Sequence, residues 1–384
     1  DMNSHDHDKP VGYALIGAGA FGRFCLEQYR TLDTLKLVAV ADANEAAAVT
    51  AADQYQVDSY TGDLTALLRR DDLDIVHIAT PPGTHRELAE QAMQAGKHVL
   101  CEKPLATTLD DARAMAATAR RLGRVLAANL IMRYDPLCHA VGQIMRERLL
   151  GEPLHGFFEN YAKDEPLPAD HWFWDKHRSG GIFIEHSVHF FDLFASWLGE
   201  AEIVAAQQSV RPGVTLASGQ PLVEQVQCTL RYAGGPLVNF YHGFTQATRM
   251  DRQEMRLLCE RGDVRLFEWT PLSLMMDCIA EEPAVTRMAE LLPGGRIECV
   301  EQFEGEACEV TSRGKAYRVD GRYRIAADVG VDKPTLYGMM LRSLMQDQIA
   351  AIRDASHVRR VDETNGVASL ELAYAAEALA TGQV

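Results

Sequence analysis

The chain has 384 residues, which exceeds the size of one ordinary hydrophobic core and favours two domains. Its formal net charge of −16 argues against nucleic acid or an anionic membrane as partner, because both select clustered Lys and Arg. The eight cysteines are scattered without a Cys-x-x-Cys pair, so we expect no metal ribbon, and reduced thiols in a cytoplasmic protein. The sequence has no apolar run near the roughly 20 residues that span a bilayer, and its polar residues 1–10 predict a disordered lead.

Residues 11–132 alternate short apolar runs with helical stretches. We predict strands at residues 13–16, 35–41, 75–79, 98–101 and 125–129. We predict helices between them at residues 21–29, 46–55, 87–95 and 109–122. Strands separated by helices of this length imply βαβ units around a parallel sheet that is buried on both faces. The segment is therefore expected to form one α/β domain.

Residues 133–384 follow a different pattern, in which helices at 137–150 and 184–198 and a strand at 155–162 precede several long strands. Short turns at 233–235 and 261–263 each join two strand-like runs and predict hairpins. We expect an α+β domain with a large, mainly antiparallel open sheet, whose one face packs on helices and whose other face is open to solvent or a partner. Helices are also predicted near the end, at 341–352 and 367–381. Packing of the last helix on the first domain is left open.

Three glycines, Gly17, Gly19 and Gly22, form a Gly-x-Gly-x-x-Gly sequence between the first predicted strand and the first predicted helix. In a dinucleotide-binding loop the first glycine permits a tight turn, the second lets the backbone approach the pyrophosphate, and the third lets helix and strand pack closely. The helix start at Ala20 and Phe21 then offers free N–H groups to the phosphates. The alternative is a glycine-rich turn in an α/β protein without a cofactor.

An acidic residue, Asp42, ends the next predicted strand, where a bound dinucleotide places its adenosine ribose. Its carboxylate is suited to accept hydrogen bonds from the ribose hydroxyls, and it repels a 2′-phosphate. The following residues, Ala43 and Asn44, supply no guanidinium to attract that phosphate. We therefore predict NAD rather than NADP as the cofactor of an N-terminal Rossmann domain.

Two further motifs follow later strands of this domain: Thr-Pro-x-x-x-His at residues 80–85 and Glu-Lys-Pro at residues 102–104. Together with the segment 133–136 and the glycine pair 180–181, they resemble the glucose-fructose oxidoreductase, inositol dehydrogenase and rhizopine-catabolism (Gfo/Idh/MocA) family. The resemblance covers almost the whole chain. It implies an NAD-dependent oxidoreductase with a Rossmann domain at 11–132 and a substrate-binding and oligomerisation domain at 133–384.

The resemblance also implies which residues serve the cofactor and the substrate. It puts Thr80, Pro81 and His85 in the cofactor site and Glu102 beside the nicotinamide ribose. It makes Lys103 a contact of both cofactor and substrate. A lysine just past the carboxyl end of a parallel strand, partly desolvated beside an oxidised nicotinamide, is suited to hold a substrate hydroxyl and lower its pKa. The alternative is a solvated loop lysine, the usual fate of this residue type.

Glu185, His189 and Asp192 form the second set of candidates. Glu185 and His189 are four residues apart and share one face of the predicted helix, so the carboxylate can orient the imidazole and raise its pKa. That suits a group that accepts and returns a proton near neutral pH. The family pattern has Gly, Asp and Gly where this chain has Ser179, Glu185 and Ser187, which leaves the contact of Glu185 open. Alternatively, the Glu and His only satisfy each other inside a buried helix.

His186 sits beside this set and suggests a metal site, but we expect none. It projects about 100° away from Glu185 around a helix, and no Cys or Asp signature completes a ligand set. Upstream, the aromatic and basic stretch 170–178 includes Trp172 and Trp174, whose faces are suited to stack on sugar rings. Arg133 and Lys163 are further substrate-binding candidates, as is Asp192. The alternative for this stretch is a loop that plugs the core.

We therefore expect an oxidoreductase that acts on a secondary hydroxyl of a sugar, cyclitol or related polyol. His189 takes the hydroxyl proton with help from Glu185, Lys103 polarises the oxygen, and the hydride goes to nicotinamide C4. Two alternatives stay open: a glycosidase that oxidises its substrate transiently and recycles bound NAD, and a non-catalytic sensor of NAD and sugar. The resemblance implies a homodimer or homotetramer that associates through the C-terminal sheet.

Overall fold

The computed structural model describes residues 9–163 and 167–382, which form two compact units. The first unit contains the described residues up to Tyr134 together with Tyr337–Glu371. The second contains the described residues within Asp135–Leu336 and those from Leu372 onward. Apart from Lys9 and Pro10, the lead predicted at 1–10 lies outside the described residues.

The first unit is built on a six-stranded parallel sheet with the strand order β3-β2-β1-β4-β5-β6. Its strands are β1 (Val11–Ile16), β2 (Leu35–Ala41), β3 (Asp58–Tyr60), β4 (Ile75–Ile78), β5 (His98–Cys101) and β6 (Leu126–Ala128). The chain runs outward from β1 to β3 and then returns to β4 on the other side of β1. This reversal opens a crevice at the carboxyl ends of β1 and β4, where doubly wound sheets bind their ligands. The predicted Rossmann architecture is confirmed.

Helices follow the strands at nearly the predicted positions. In chain order they are α1 (Ala20–Tyr29), α2 (Glu45–Tyr55), α3 (Thr65–Leu68), α4 (His85–Gln94), α5 (Leu109–Leu122), α6 (Pro136–Arg146), α7 (Lys176–Ser179), α8 (Val188–Leu198), α9 (Glu282–Leu291), α10 (Lys333–Arg353) and α11 (Glu363–Thr381). Local sequence explains where α5 begins and ends. The Thr108 hydroxyl accepts the Asp111 N–H (3.1 Å), and Gly123 closes the helix with a φ of +63°.

Residues 337–371 lie in the first unit, whereas the sequence-based division left them in the second domain. They bond to the Rossmann sheet directly, since the Arg359 guanidinium donates to the main-chain oxygen of Leu126 (2.9 Å). At Gly366 an added Cβ would lie 3.0 Å from the Ala128 side chain, so glycine permits the close approach. Helical periodicity predicts such a segment but carries no information on which core it joins.

The second unit is built on a nine-stranded sheet with the order β14-β17-β13-β12-β11-β7-β10-β9-β8. The strands of this unit are β7 (Pro153–Lys163), β8 (Ala201–Thr215), β9 (Pro221–Tyr232), β10 (Leu237–Gln246), β11 (Arg252–Cys259), β12 (Gly262–Phe267), β13 (Ser273–Ala280), β14 (Arg296–Gln302), β15 (Glu309–Ser312), β16 (Lys315–Arg318) and β17 (Gly321–Asp328). Neighbours in the nine-stranded sheet are antiparallel except β7 and β10. Both predicted hairpins, β9–β10 and β11–β12, are confirmed.

One face of this sheet is covered by α8, and aromatic rings fill the contact. Phe190 of α8 stacks on Phe158 of β7 with ring centroids 3.6 Å apart. Phe194 meets Phe240 of β10 edge to face at 5.2 Å. The opposite face carries ion pairs instead, among them Arg256–Asp263, Arg265–Asp277 and Arg324–Asp277. No helix within the described residues is long and apolar enough to cross a membrane.

Candidate functional site

The loop between β1 and α1 has the geometry that a dinucleotide requires. Gly17 has a φ of +105°, and a Cβ there would lie 2.5 Å from the carbonyl oxygen of Ala79. A Cβ at Gly22 would lie 2.2 Å from the Gly17 oxygen, whereas a Cβ at Gly19 would meet nothing within 4 Å. Gly17 and Gly22 therefore let strand, loop and helix pack together, and Gly19 leaves open space in front of the main chain.

The start of α1 and the end of β2 complete this part of the site. Gly19 is the N-cap of α1 and no side chain caps the helix, so the exposed first turn at Ala20 and Phe21 offers N–H groups and the positive end of the helix dipole. The Asp42 carboxylate accepts the N–H groups of Ala18 (2.7 Å) and Asn44 (2.8 Å). It is thereby fixed beside the loop with lone pairs left over. These residues fit NAD, with the pyrophosphate at the helix start and a ribose at Asp42.

A buried histidine, His85, joins the loops that follow β4 and β5. Its Nε2 lies 2.8 Å from the main-chain oxygen of Thr80, and its Nδ1 lies 3.0 Å from that of Pro104. Burial lowers the pKa of His85, although both oxygens favour the protonated ring. Because Lys103 directly precedes Pro104, this bridge links the segment of the half-buried Lys103 to the Thr80 loop. Direct contacts of Thr80, Pro81 and His85 with the cofactor stay predictions.

Glu102 is tied into the sheet by side chains that the sequence analysis did not single out. Its Oε1 accepts hydrogen bonds from His77 Nε2 (2.8 Å) and Asn129 Nδ2 (2.9 Å). His77 Nδ1 in turn lies 3.1 Å from the hydroxyl of Tyr13. All four side chains are buried. A signal was present, because His77 is the polar member of the apolar run 75–79.

In the second unit, the predicted helix 184–198 has two parts. Residues Phe183–Ser187 form one turn of π-helix, and α8 follows directly. Inserted π turns are frequent at functional sites, and 3.6-residue periodicity does not predict them. Glu185 and His186 are half-buried on this turn, while His189 and Asp192 are nearly buried on α8.

The entry to this helix explains one departure from the family pattern. Gly180 and Gly181 have φ values of +84° and +92°, which favour glycine. Ser179 is the last residue of α7 and has no such conformation, so a side chain is accommodated there. Its hydroxyl accepts the N–H of Gly181 (3.0 Å) and donates to the oxygen of Asp175 (3.1 Å). The serine therefore stabilises the turn.

Aromatic and imidazole rings surround the helix start. The ring of Trp269 lies 6.5 Å, centroid to centroid, from those of both His186 and His189. His186 also packs against His242 (5.4 Å) and Phe244 (5.7 Å). Burial, with the nearby His186, lowers the pKa of His242 well below its usual value. The sequence analysis missed Trp269 and His242, although His242 breaks an alternation of buried apolar side chains along β10.

The substrate-binding candidates occupy different environments. Trp174 is buried, with its ring 5.9 Å from both the Arg211 guanidinium and Phe244, which matches the core-plugging alternative. Trp172 is 38% exposed and keeps ring surface open to solvent. Arg133 donates to the main-chain oxygen of Arg360 (3.1 Å). Lys163 lies at the end of β7, where its N–H binds the Asp251 carboxylate (2.9 Å). Their contacts with substrate stay predictions.

One group of possible metal ligands lies among the residues that the structure describes. Cys25, His77 and Glu102 bring ligand atoms within 4.8 Å of one another in the first unit. Both ring nitrogens of His77 already face hydrogen-bond partners. Burial raises the pKa of the Cys25 thiol, which disfavours the thiolate that a metal needs.

Comparisons with known proteins agree with this arrangement. Residues 11–130 match the GFO_IDH_MocA model, an oxidoreductase family with an NAD-binding Rossmann fold, and residues 138–265 match the GFO/IDH/MocA C-terminal domain. D-apiose dehydrogenase of Paraburkholderia graminis is 39% identical over 143 residues, which cover 37% of this chain and 38% of that one. Inositol 2-dehydrogenase of Rhizobium meliloti is 33% identical over 193 residues, which cover 50% and 56%. Both matches therefore span less than two thirds of the relative's length.

A solved structure extends the comparison to the whole chain. Levoglucosan dehydrogenase, in complex with NADH and L-sorbose, aligns with a TM-score of 0.76 over 98% of each chain at 20% sequence identity. At this identity the likeness establishes the fold. The family models match residues 11–130 in the first unit and 138–265 in the second, and the Gly17–Gly22 loop, Asp42 and Lys103 lie on the matched Rossmann domain. The chain belongs to the GFO/IDH/MocA oxidoreductase family, whose Rossmann fold binds NAD.

Proposed function

We propose that this protein is an NAD-dependent oxidoreductase that acts on a secondary hydroxyl of a sugar, cyclitol or related polyol. The observation that carries the proposal is the set of groups at the carboxyl edge of the first sheet. The uncapped start of α1 and Asp42 fit the cofactor. Lys103 follows β5 on the other side of β4, and the bonds of His85 link its segment to the Thr80 loop. The named relatives act on small polyhydroxylated molecules, which supports the substrate class.

Bound NAD supplies the oxidant that takes two electrons and a hydrogen from the carbinol carbon. The chain's own residues do the rest. The Lys103 ammonium donates a hydrogen bond to the substrate oxygen and stabilises its developing negative charge. An imidazole nitrogen of His189 accepts the hydroxyl proton, and Glu185 is the proposed partner that orients the ring. The reverse reaction uses the same groups with the proton returned.

The experiment is a panel of sugars, inositols and glycosides, incubated with NAD and scored for both NADH absorbance and aglycone release. The expected result is net NADH formation when the substrate is a free sugar or an inositol. Release of the aglycone without net NADH contradicts net oxidation and favours the glycosidase that recycles its cofactor. Tight NADH and sugar binding without any turnover would point to the sensor. A wild-type protein that fails to bind NADH refutes the proposal altogether.

We also propose that a second copy of the chain covers the ion-paired face of the nine-stranded sheet. That face carries two partly exposed ion pairs, Arg256–Asp263 and Arg265–Asp277. Because these charges are already paired, covering them with a second copy would cost less desolvation free energy than covering unpaired charges. Light scattering coupled to size exclusion is expected to give a dimer or tetramer. A monomer at all concentrations tested would contradict this assembly.

A further inference from the structure

The first unit contains a line of buried polar side chains that crosses four adjacent strands. Tyr13 lies on β1, His77 on β4, Glu102 at the end of β5 and Asn129 at the end of β6. Each side chain bonds to the next, at 3.1 Å, 2.8 Å and 2.9 Å in turn. The line runs obliquely through the sheet and ends at the carboxyl edge, beside Lys103.

Hydrogen-bond chemistry fixes the direction of this line. With Glu102 as a carboxylate, which only accepts hydrogen bonds, His77 Nε2 carries the proton that points to Glu102. In the neutral ring, Nδ1 is then an acceptor and the Tyr13 hydroxyl donates to it. Burial raises the pKa of Tyr13 well above its usual value, which keeps that hydroxyl protonated. Glu102 therefore sets the tautomer of His77, the Tyr13 hydroxyl holds the ring by donating to its remaining acceptor, and the ring in turn orients the Glu102 carboxylate.

We infer that Tyr13 and His77 are positioning residues for the nicotinamide end of the cofactor and act through Glu102. Glu102 is 9% exposed, and His77 and Asn129 occupy three of its roughly four acceptor positions. The remaining lone pair is left for a donor at the surface, and a ribose hydroxyl of NAD has the required chemistry. This inference rests on the proposed function, because Glu102 has a ribose to contact only if the protein binds NAD.

The neighbouring Tyr29 supplies a matched control. Its ring packs edge to face on Tyr13 (5.8 Å) and His77 (5.7 Å), and it is as deeply buried as they are. Its hydroxyl has no hydrogen-bond partner among the described residues. The substitution Tyr29→Phe therefore removes the same atom as Tyr13→Phe from the same core, without touching the line.

The first measurement is NADH affinity by fluorescence titration of the whole protein. His77→Leu is expected to weaken NADH binding about tenfold, the size of one hydrogen bond to a charged group. His77→Gln, whose amide nitrogen can replace Nε2 as donor, should stay within about threefold of wild type. Tyr13→Phe should fall between them, and Tyr29→Phe should bind as wild type does. Equal loss in Tyr13→Phe and Tyr29→Phe would overturn the inference.

A double-mutant cycle separates positioning from a general loss of stability. In a Glu102→Ala background, His77→Leu is expected to change NADH affinity by less than about twofold, because the group it orients is gone. The same tenfold loss in both backgrounds would overturn the inference while leaving NAD binding itself intact. Metal analysis of purified wild type is expected to find none. If wild type instead contains one equivalent of metal and Cys25→Ser does not, then Cys25, His77 and Glu102 form a metal site and the inference is overturned.

Discussion

Two groups of buried polar side chains, one in each unit, differ in how far they are hydrogen-bonded. In the first unit, hydrogen bonds join Tyr13, His77, Glu102 and Asn129 in a line, and within it only Asn129 Oδ1 is a buried atom without a partner among the described residues. In the second unit, neither ring nitrogen of His242 has a hydrogen-bond partner among the described residues. The same holds for Asn160 Nδ2, which lies beside His242 across the β7–β10 pairing.

This difference has a physical meaning for an enzyme of this family. Internal bonds preorganise a site and fix it for one ligand, whereas an unsatisfied buried polar atom costs free energy in the chain alone. The cofactor is shared across the family, and its end of the molecule is rigidly specified. His242 and Asn160 carry buried polar atoms that have no hydrogen-bond partner among the described residues. We interpret this pair as a place where substrate choice is set.

The largest expected effect comes from the two proposed catalytic groups, one in each unit. Lys103→Met and His189→Asn should each lower kcat on the best substrate by about 10²- to 10⁴-fold, since each removes a group that acts on the substrate oxygen or its proton. NADH binding should be retained in His189→Asn, whereas Lys103→Met, at a predicted cofactor contact, should weaken it by no more than about tenfold. Steady-state kinetics with a parallel NADH titration measures both. A kcat within threefold of wild type in either variant would remove that residue from the chemistry.

The next effect tests how firmly the cofactor end is preformed. Gly22→Ala should cost about 3 kcal/mol of unfolding free energy, because its Cβ would collide with the Gly17 oxygen. Gly19→Ala should leave unfolding within about 0.5 kcal/mol, because its Cβ meets nothing in the chain. It should nevertheless weaken NADH binding about ten- to hundredfold, since the methyl occupies the space that a pyrophosphate needs. Urea unfolding and NADH titration separate the two glycines, and equal behaviour of both variants would contradict their assigned roles.

Much of the first unit could be predicted from the sequence because its signals are local. Each strand is a short apolar run, and each helix shows a helical spacing of its apolar residues. The glycines lie between the first strand and the first helix, and Asp42 follows the second strand. The strands at 35–41 and 98–101 and the helix at 109–122 have the predicted bounds. Lys103 and its loop were identified through a resemblance, because a lysine in a loop carries no local signal of its own.

What the sequence did not predict depends on contacts between distant residues. The pairing of His77 with Tyr13 and Glu102 spans 64 and 25 residues and follows from strand order, which periodicity does not report. The π turn at Phe183–Ser187 inserts a single residue into a helical pattern. The spacing of apolar residues is too irregular to reveal an insertion of that size. Trp269 lies just past β12, and its proximity to His189 arises only when the sheet is assembled.

A smaller effect compares the units with one substitution made in each. His77→Leu should cost about 2 kcal/mol of unfolding free energy, because it leaves the Tyr13 hydroxyl and one acceptor of Glu102 buried without their partner. His242→Leu should be neutral or stabilising by about 1 kcal/mol, because it replaces a buried ring whose nitrogens are unbonded within the described chain. Urea denaturation at neutral pH measures both. A loss at His242 as large as that at His77 would abolish the distinction between the two units.

The smallest effect concerns acid sensitivity and the half-buried histidine His98. Its Nδ1 accepts the N–H of Val125 (2.9 Å), and burial, followed by the charge of Arg124, lowers its pKa to about 4. The unfolded chain takes up the proton near pH 6.5. Between these pKa values the unfolded state binds more protons than the folded state, so the free energy of unfolding falls as the pH falls.

His98→Asn keeps an acceptor for Val125 but does not titrate. From about pH 7.5 to about pH 5.5, wild type should lose about 1 kcal/mol more unfolding free energy than this variant. His242→Leu should show the same direction, because burial also lowers the pKa of His242. Parallel pH curves for wild type and both variants would contradict the neutral state of these rings. If both variants instead lose less unfolding free energy than wild type, a hydrogen-bonded and an unbonded histidine share one acid response. Burial then governs their pH dependence, while hydrogen bonding governs their contribution to stability at neutral pH.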